Sequence, residues 1–319
     1  MAVYTDLTDE ERAAVVASYD LGALSAFKGI AEGVSNSNFF LETARGRFIL
    51  TIFEFRFVEA ELPFFMDVMA RLAERGFPAP QPRPTKDGAL LTRVRGKPAA
   101  IVTFLNGVSP KRPNVAQCRA IGAALARMHA ALDGFAQTRP NALGLLGWKP
   151  LIYPHLALAE RLRPGLAHSI EADLAEVISY WPDALPDGII HADLFPDNAL
   201  FVDDRIGGVI DFYFACTDAL AYDLAVCLNA WCFEERGEYN ITKGRALIGG
   251  YESVRPLSSH ERVALPQLAR GAAIRFFATR LADWSDTPAG AQVTPKNPLE
   301  YADKLDFHRK ARSAADYGG

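Results

Sequence analysis

The stretch from Gly188 to Phe212 constrains this chain most. It holds three short apolar runs, Gly188-Ile189-Ile190, Ala199-Leu200-Phe201-Val202 and Gly207-Gly208-Val209-Ile210, with Asp203-Asp204 between the last two. Short β-rich runs bounded by Gly and Asp read as a strand followed by a hairpin. The polar residues His191, Asp193, Asn198 and Asp211 then fall at strand ends and in the connecting loop. A rigid strand base can aim such side chains at a ligand, and their oxygens suit a metal and phosphate groups. Ordinary loop and capping roles are the alternative for the same four residues.

The remainder has to supply a scaffold for that loop. With 319 residues, 50% hydrophobic and 23% charged, the composition is globular and long enough for one large domain or two lobes. A net charge of -4 lacks the basic balance of nucleic-acid binders. The N-terminus is acidic and has no signal-peptide pattern, and the most apolar region, 209–233, is broken by Asp211, Asp218 and Asp223. No nucleic-acid partner, no membrane association and a cytoplasmic location are therefore expected. Cys118, Cys216, Cys227 and Cys232 form no CxxC pair and are expected to be buried free thiols. The pattern does not specify an oligomeric state.

Taken in order, Thr8 and Glu11 form a capping box that starts a short helix running to Gly22. Runs at 24–30, 39–43 and 48–53 predict three antiparallel strands, the last two joined at Arg45-Gly46. Between the first two, Gly33-Val34-Ser35-Asn36-Ser37-Asn38 is expected as a loop, either a plain turn or a cradle of amides and hydroxyls for phosphate. Leu62, Phe65, Met66, Met69, Leu72 and Ala73 recur at helical spacing, and 89–94 with 99–104 predict a hairpin through Arg95-Gly96. After Leu105 the pattern turns helical, over 115–132, 154–181 with a break at Pro164-Gly165, 219–233, 242–251, 259–286 and 299–313, with a loop over 133–150. His129 lies beside the buried stripe of its helix and reads as structural. The expected fold is α+β and two-lobed: residues 1–104 as a nucleotide-binding lobe with a five-stranded antiparallel sheet and a helix, residues 105–319 as a larger, mainly helical catalytic lobe, and a cleft between them.

Phosphoryl transfer needs a carboxylate at the acceptor hydroxyl and oxygen ligands for Mg2+ on the nucleotide phosphates. His191-x-Asp193-x-x-x-x-Asn198 followed by Ile210-Asp211-Phe212 resembles the signature of the aminoglycoside phosphotransferase and choline kinase family, a branch of the protein-kinase-like fold. The resemblance implies an ATP- and Mg2+-dependent small-molecule kinase. It implies Asp193 as catalytic base, Asn198 and Asp211 as metal ligands, His191 as structural support and Asp223 as a structural acid under the loop. Ser35, Asn36, Ser37 and Asn38 fall at the family's nucleotide-covering loop. Glu61 falls near the helix acid that pairs with a strand-three cation, and Thr103, Phe104 and Leu105 at the connector that meets adenine.

One position departs from the wider family. Where a Lys or Arg is usual on the third strand this chain has Thr51, with Arg56 and Lys28 as candidate sources of positive charge. Residues 33–41, 48–54, 62–65 and 223–233 resemble the homoserine kinases of this fold, in which that Thr belongs to the pattern. This implies a small-molecule amino-acid substrate, L-homoserine, phosphorylated on its side-chain hydroxyl in threonine biosynthesis. Arg275 or Arg280 would take its carboxylate, and Asp218, Glu234 or Glu235 its ammonium. A kinase for choline, an aminoglycoside or a sugar is the alternative, and a nucleotide-binding pseudokinase is a second.

Overall fold

The computed structural model describes residues 5–30, 36–54, 58–286 and 295–319, so Ser35 and Arg56 lie outside the described residues. The chain divides into two compact units, Met1–Asn106 with Gly208–Tyr213, and Gly107–Gly207 with Phe214–Gly319.

In the first unit the capping box forms as expected: the Glu11 N–H donates to Thr8 Oγ1 and the Thr8 N–H to Glu11 Oε2, starting α1 (Asp9–Ala17). Strands β1 (Leu24–Gly29), β2 (Asn36–Thr43), β3 (Gly46–Phe53), β4 (Thr92–Val94) and β5 (Lys97–Thr103) make one antiparallel sheet in the order β1-β2-β3-β5-β4. The two-residue side-chain period sorts its faces. Phe39 and Leu41 sit opposite Leu50 and Phe48, and these pack with Val15, Val16, Tyr19, Leu21 and Ile101 into a buried core. Asn38 and Phe40, opposite Thr51 and Ile49, point to the other face.

This alternation corrects the expected loop over 33–38. Asn36, Ser37 and Asn38 are already strand, paired with Phe53, Ile52 and Thr51. Ser37 faces the core, is fully buried, donates to Glu54 Oε1 at 2.6 Å and accepts from the Thr5 N–H at 3.1 Å. Its hydroxyl is spent inside the unit, so the expected phosphate contact is withdrawn for Ser37. Small polar residues read locally as a turn, but cross-strand pairing with a strongly β-forming β3 extends the strand through them.

After a 3-10 turn at Glu59–Glu61, α2 (Leu62–Glu74) buries Leu62, Phe65, Met66, Met69 and Leu72, with Pro63 in its first turn, where a missing N–H costs little. The segment Gly208–Tyr213 joins this unit: the Val209 N–H donates to the Pro78 carbonyl at 2.9 Å. The Tyr213 ring stands edge-on to Phe53 and Phe65, at 5.1 and 5.9 Å between centroids.

The second unit is mainly helical: α3 (Val115–Ala131), α4 (Leu145–Ile152), α5 (Leu156–Leu162), α6 (Leu166–Ser179), α7 (Leu220–Trp231), α8 (Ile241–Glu252), α9 (Ser259–Asp286) and α10 (Leu299–His308). Its strands are β6 (Asp187–Ile190), which pairs with β9 (Cys216–Ala219), and β7 (Ala199–Val202), which pairs with β8 (Arg205–Val209), the strand within which the chain passes at Gly208 to the first unit. Helices α3 and α8 touch backbone to backbone: a Cβ at Gly122 would stand 2.0 Å from the Leu247 carbonyl oxygen, and one at Gly250 2.1 Å from that of Arg119.

One expectation fails locally, and one short strand was not foreseen. The loop expected over 133–150 contains most of α4, because Trp148 and Ile152 are fully buried and that burial outweighs Pro150 within the helix. Residues 216–219 form β9, antiparallel to β6 with Ile190 opposite Cys216, and α7 begins only at Leu220. All four cysteines are buried and free. Among the described residues no helix is long and apolar enough to cross a membrane.

Candidate active site

The loop from β6 to β7 carries His191, Asp193 and Asn198. Its backbone turns through Ala192 at φ 62, a left-handed conformation that a residue with a Cβ adopts only when its surroundings impose it. Those surroundings are visible atom by atom. Asp223, fully buried in the first turn of α7, accepts the N–H groups of His191 at 2.8 Å and Ala192 at 2.9 Å. Its Oδ2 also meets His129 Nε2 at 3.1 Å, and His129 Nδ1 meets the Tyr251 hydroxyl at 2.9 Å. Burial alone would raise the Asp223 carboxyl; the His129 hydrogen bond and charge and the His191 side chain and N–H hold it below its ordinary value. The Asp193 N–H donates to His191 Nδ1 at 3.2 Å.

The carbonyls are held as well. Arg275 Nη1 donates to the Ala192 carbonyl at 2.6 Å, Asn198 Nδ2 to that of Asp193 at 2.8 Å, and Trp231 Nε1 to that of Leu194 at 2.8 Å. Pairing on this scale fixes the direction of the Asp193 side chain before any ligand arrives.

Asp193 is the chemically poised group. One fifth of its side chain is exposed, with Arg275 Nη1 3.6 Å from Oδ1 and Asn198 Nδ2 3.4 Å from Oδ2. Burial pushes its carboxyl up to about 6, against the pull of Arg275, Lys296 and Asn198. A carboxylate with a pKa near neutrality is ionised at pH 7 and still basic enough to take a proton. Because Asn198 spends its amide nitrogen on the Asp193 carbonyl, its Oδ1 is left as a hard oxygen donor.

Arg275 is nearly buried and stacks on the rings of Phe276 and Phe214, at 4.0 and 5.5 Å. It thus serves the loop backbone as well as Asp193. The other substrate candidates are engaged elsewhere. Arg280 donates to Glu300 Oε2 at 2.5 Å and the Asn297 carbonyl at 3.3 Å. Asp218 accepts from Asn141 Nδ2 and the Ala219 N–H, both at 2.7 Å. Glu234 pairs with Lys243 at 2.7 Å and Asn240 at 2.8 Å, and Glu235 with Arg112.

Lys296 was missed from sequence. Its ammonium stands 5.4 Å over the Phe195 ring and 3.8 Å from Asp197, and it is exposed. It is 103 residues from Asp193 in the chain and belongs to no motif, so no local signal marks it.

In the first unit, Asp211 is exposed and left-handed at φ 65. Thr51 is buried, and its hydroxyl donates to Asn38 Oδ1 at 2.8 Å. Asn36 Oδ1 accepts from the Glu54 N–H at 3.4 Å, and Glu61 caps the start of α2 without a side-chain cap bond. Thr103 Oγ1 accepts from the Gln81 N–H, and the Phe104 N–H donates to the Arg47 carbonyl, extending the β3–β5 ladder towards Leu105. Lys28, opposite Phe40, is exposed on the sheet face that also carries Thr51.

The profile of the Phosphotransferase enzyme family (APH) matches residues 26–257. A homoserine kinase of Sinorhizobium fredii is 57% identical over 318 residues, covering 100% of this chain and 98% of that protein. One of Xanthobacter autotrophicus is 56% identical over 318 residues, covering 100% of this chain and 99% of that protein. Among solved structures, a spectinomycin phosphotransferase with bound ADP and spectinomycin superposes with a TM-score of 0.71 at 10% identity, covering 98% of each chain, a likeness of fold.

Proposed function

This chain belongs to the phosphotransferase enzyme family, as an ATP-dependent small-molecule kinase, and on that footing we propose that it phosphorylates the side-chain hydroxyl of L-homoserine. The full-length identity to homoserine kinases supports that acceptor. The observation that carries the chemistry is Asp193, on a loop held by hydrogen bonds from Asn198 and Arg275, with a carboxyl pushed up to about 6. With the acceptor hydroxyl at Asp193, the carboxylate takes the hydroxyl proton as the oxygen bonds to the γ-phosphorus. The bond from that phosphorus to the bridging oxygen breaks and ADP leaves.

Asn198 Oδ1 and the Asp211 carboxylate are hard oxygens that fit Mg2+, which when bound neutralises charge on the nucleotide phosphates. Asn36, Asn38, Thr51, Glu61, Thr103, Phe104 and Leu105 are assigned to the nucleotide side, and His191 and Asp223 to support of the loop. Arg275 and Lys296 place positive charge around Asp193. That charge suits an acceptor with a carboxylate and opposes a polycationic aminoglycoside. Arg280 is committed to Glu300 and Glu234 to Lys243, so Arg275, joined by Lys296, stands for the carboxylate, and Asp218, whose partners are the neutral Asn141 amide and the Ala219 N–H, stands for the ammonium.

The test is an acceptor panel with ATP consumption as readout, run with Mg2+ and again with EDTA. Turnover with homoserine that requires Mg2+ is expected. Turnover with choline or kanamycin and none with homoserine overturns the acceptor, and undiminished turnover in EDTA overturns the metal.

A further inference from the structure

Ala192 stands immediately before Asp193, so the direction of the Asp193 side chain depends on a left-handed backbone that only its surroundings hold. Both polar backbone groups of Ala192 are gripped, its N–H by Asp223 Oδ1 at 2.9 Å and its carbonyl by Arg275 Nη1 at 2.6 Å. The carbonyl grip comes straight from α9. The N–H grip leads back to the same helix by a longer route. Asp223 Oδ2 meets His129 Nε2 at 3.1 Å, and His129 Nδ1 meets the Tyr251 hydroxyl at 2.9 Å. Arg255 Nη1 then stands 3.3 Å from that hydroxyl and 2.8 Å from Glu261 Oε1, in the first turn of α9. Glu261 is fully buried, and its other oxygen accepts the Ser258 N–H at 2.8 Å. The route thus joins α7, α3, α8 and α9, all in one compact unit.

We propose that Tyr251 and Arg255 are positioning residues for phosphoryl transfer: they fix the His129 ring, which holds the Asp223 carboxylate against the His191 and Ala192 N–H groups and so aims Asp193. A guanidinium only donates, so Arg255 makes the Tyr251 oxygen an acceptor and turns the hydroxyl proton towards His129 Nδ1. His129 Nε2 faces a carboxylate and carries a proton towards it. Asp223 therefore receives three N–H groups in fixed places, two of them from the backbone of the loop. Without the Tyr251 hydroxyl, His129 Nδ1 is buried and unpaired, the ring is released to turn, and the Asp223 carboxylate loses one of its anchors. A bond serving only to join α8 to α9 would need the Arg255–Glu261 pair alone.

The inference rests on Asp193 as the proton acceptor, and the experiment separates the two. Turnover of homoserine with ATP, amide hydrogen exchange of His191 and Ala192 read by NMR, and the unfolding midpoint are measured for wild type, Asp193→Asn, Tyr251→Phe, Arg255→Lys and Arg255→Met/Glu261→Gln. The last pair of changes is made together so that no buried carboxylate is left unpaired. For Tyr251→Phe, kcat should fall about 3- to 10-fold and exchange at the two amides should rise by about the same factor, the effect of one lost hydrogen bond. KM for ATP and for homoserine should stay within about twofold, because the groups assigned to bind them are untouched. Arg255→Lys, which keeps a donor, should retain more of kcat than Arg255→Met/Glu261→Gln. Unchanged kcat in Tyr251→Phe overturns the proposal. So does exchange that is unchanged at the two amides, or raised equally throughout α3 and α8, the mark of a merely structural bond. If Asp193→Asn is inactive while Tyr251→Phe matches wild type, the positioning role falls and the reading of Asp193 stands. If Asp193→Asn turns over normally, that reading fails and the inference with it. Should Tyr251→Phe not fold, Arg255→Met/Glu261→Gln, at the end of the route where the Arg255 side chain is 22% exposed, decides by the same two measures.

Discussion

Replacing Asp193 by asparagine should make the protein more stable and nearly inactive. The carboxyl goes from 3.8 to about 6 on folding, mainly through burial. A raised carboxyl pKa means that the folded state disfavours the ionised form. Below about pH 3.8 both states are protonated and nothing is lost; the cost grows between there and about 6, and above 6 it is fully present. At 1.36 kcal/mol per unit the full cost is at most about 3 kcal/mol, already net of attraction to Arg275 and Lys296. With one fifth of the side chain in water, screening leaves about 1–3 kcal/mol. Asparagine keeps the shape and the backbone bonds and removes the charge. Urea unfolding of both proteins at pH 8 and pH 5, without metal or nucleotide to avoid stabilisation by binding, checks this. The Asp193→Asn variant should lead by about 1–3 kcal/mol at pH 8 and by roughly half as much at pH 5, while turnover falls by orders of magnitude. A variant less stable than wild type at pH 8, or a lead independent of pH, refutes the claim that this carboxylate is desolvated.

The acid limb of kcat/KM should have an apparent pKa near 6, since the proton acceptor must be ionised in the free enzyme; a limb near pH 4 would contradict the burial argument. Arg275→Met removes a cation 3.6 Å from Asp193 and should move that limb to higher pH by about 1 unit. The same variant frees the Ala192 carbonyl, so kcat should also fall. Asp223→Ala strips the acceptor from two buried N–H groups and from His129, which should lower stability by about 3–5 kcal/mol in urea titrations.

The loop of the candidate site was readable because its spacing is local. Asp193 and Asn198 are five residues apart on one loop, and short-range spacing survives translation into space. The support of that loop was only partly readable: Asp223 stood out as a structural acid, but its bonds to two N–H groups and His129 depend on α3, β6 and α7 meeting. The substrate candidates fared worse for the same reason. Arg280 and Glu234 look free in sequence, yet each has its charge consumed by a neighbour on another turn or helix.

Pattern and motif by themselves determined the α+β class, the five-stranded antiparallel sheet and the phosphoryl-transfer chemistry, because side-chain periodicity and loop spacing are properties of contiguous residues. Only the tertiary structure decided which polar groups are spent and which are available. Ser37 faced inward by strand parity, β9 existed only once β6 lay beside it, and Lys296 came near Asp193 from 103 residues away. Hydrogen-bond partners and desolvation are set by whatever the fold places within a few ångströms, and that information is not held in any one stretch of chain.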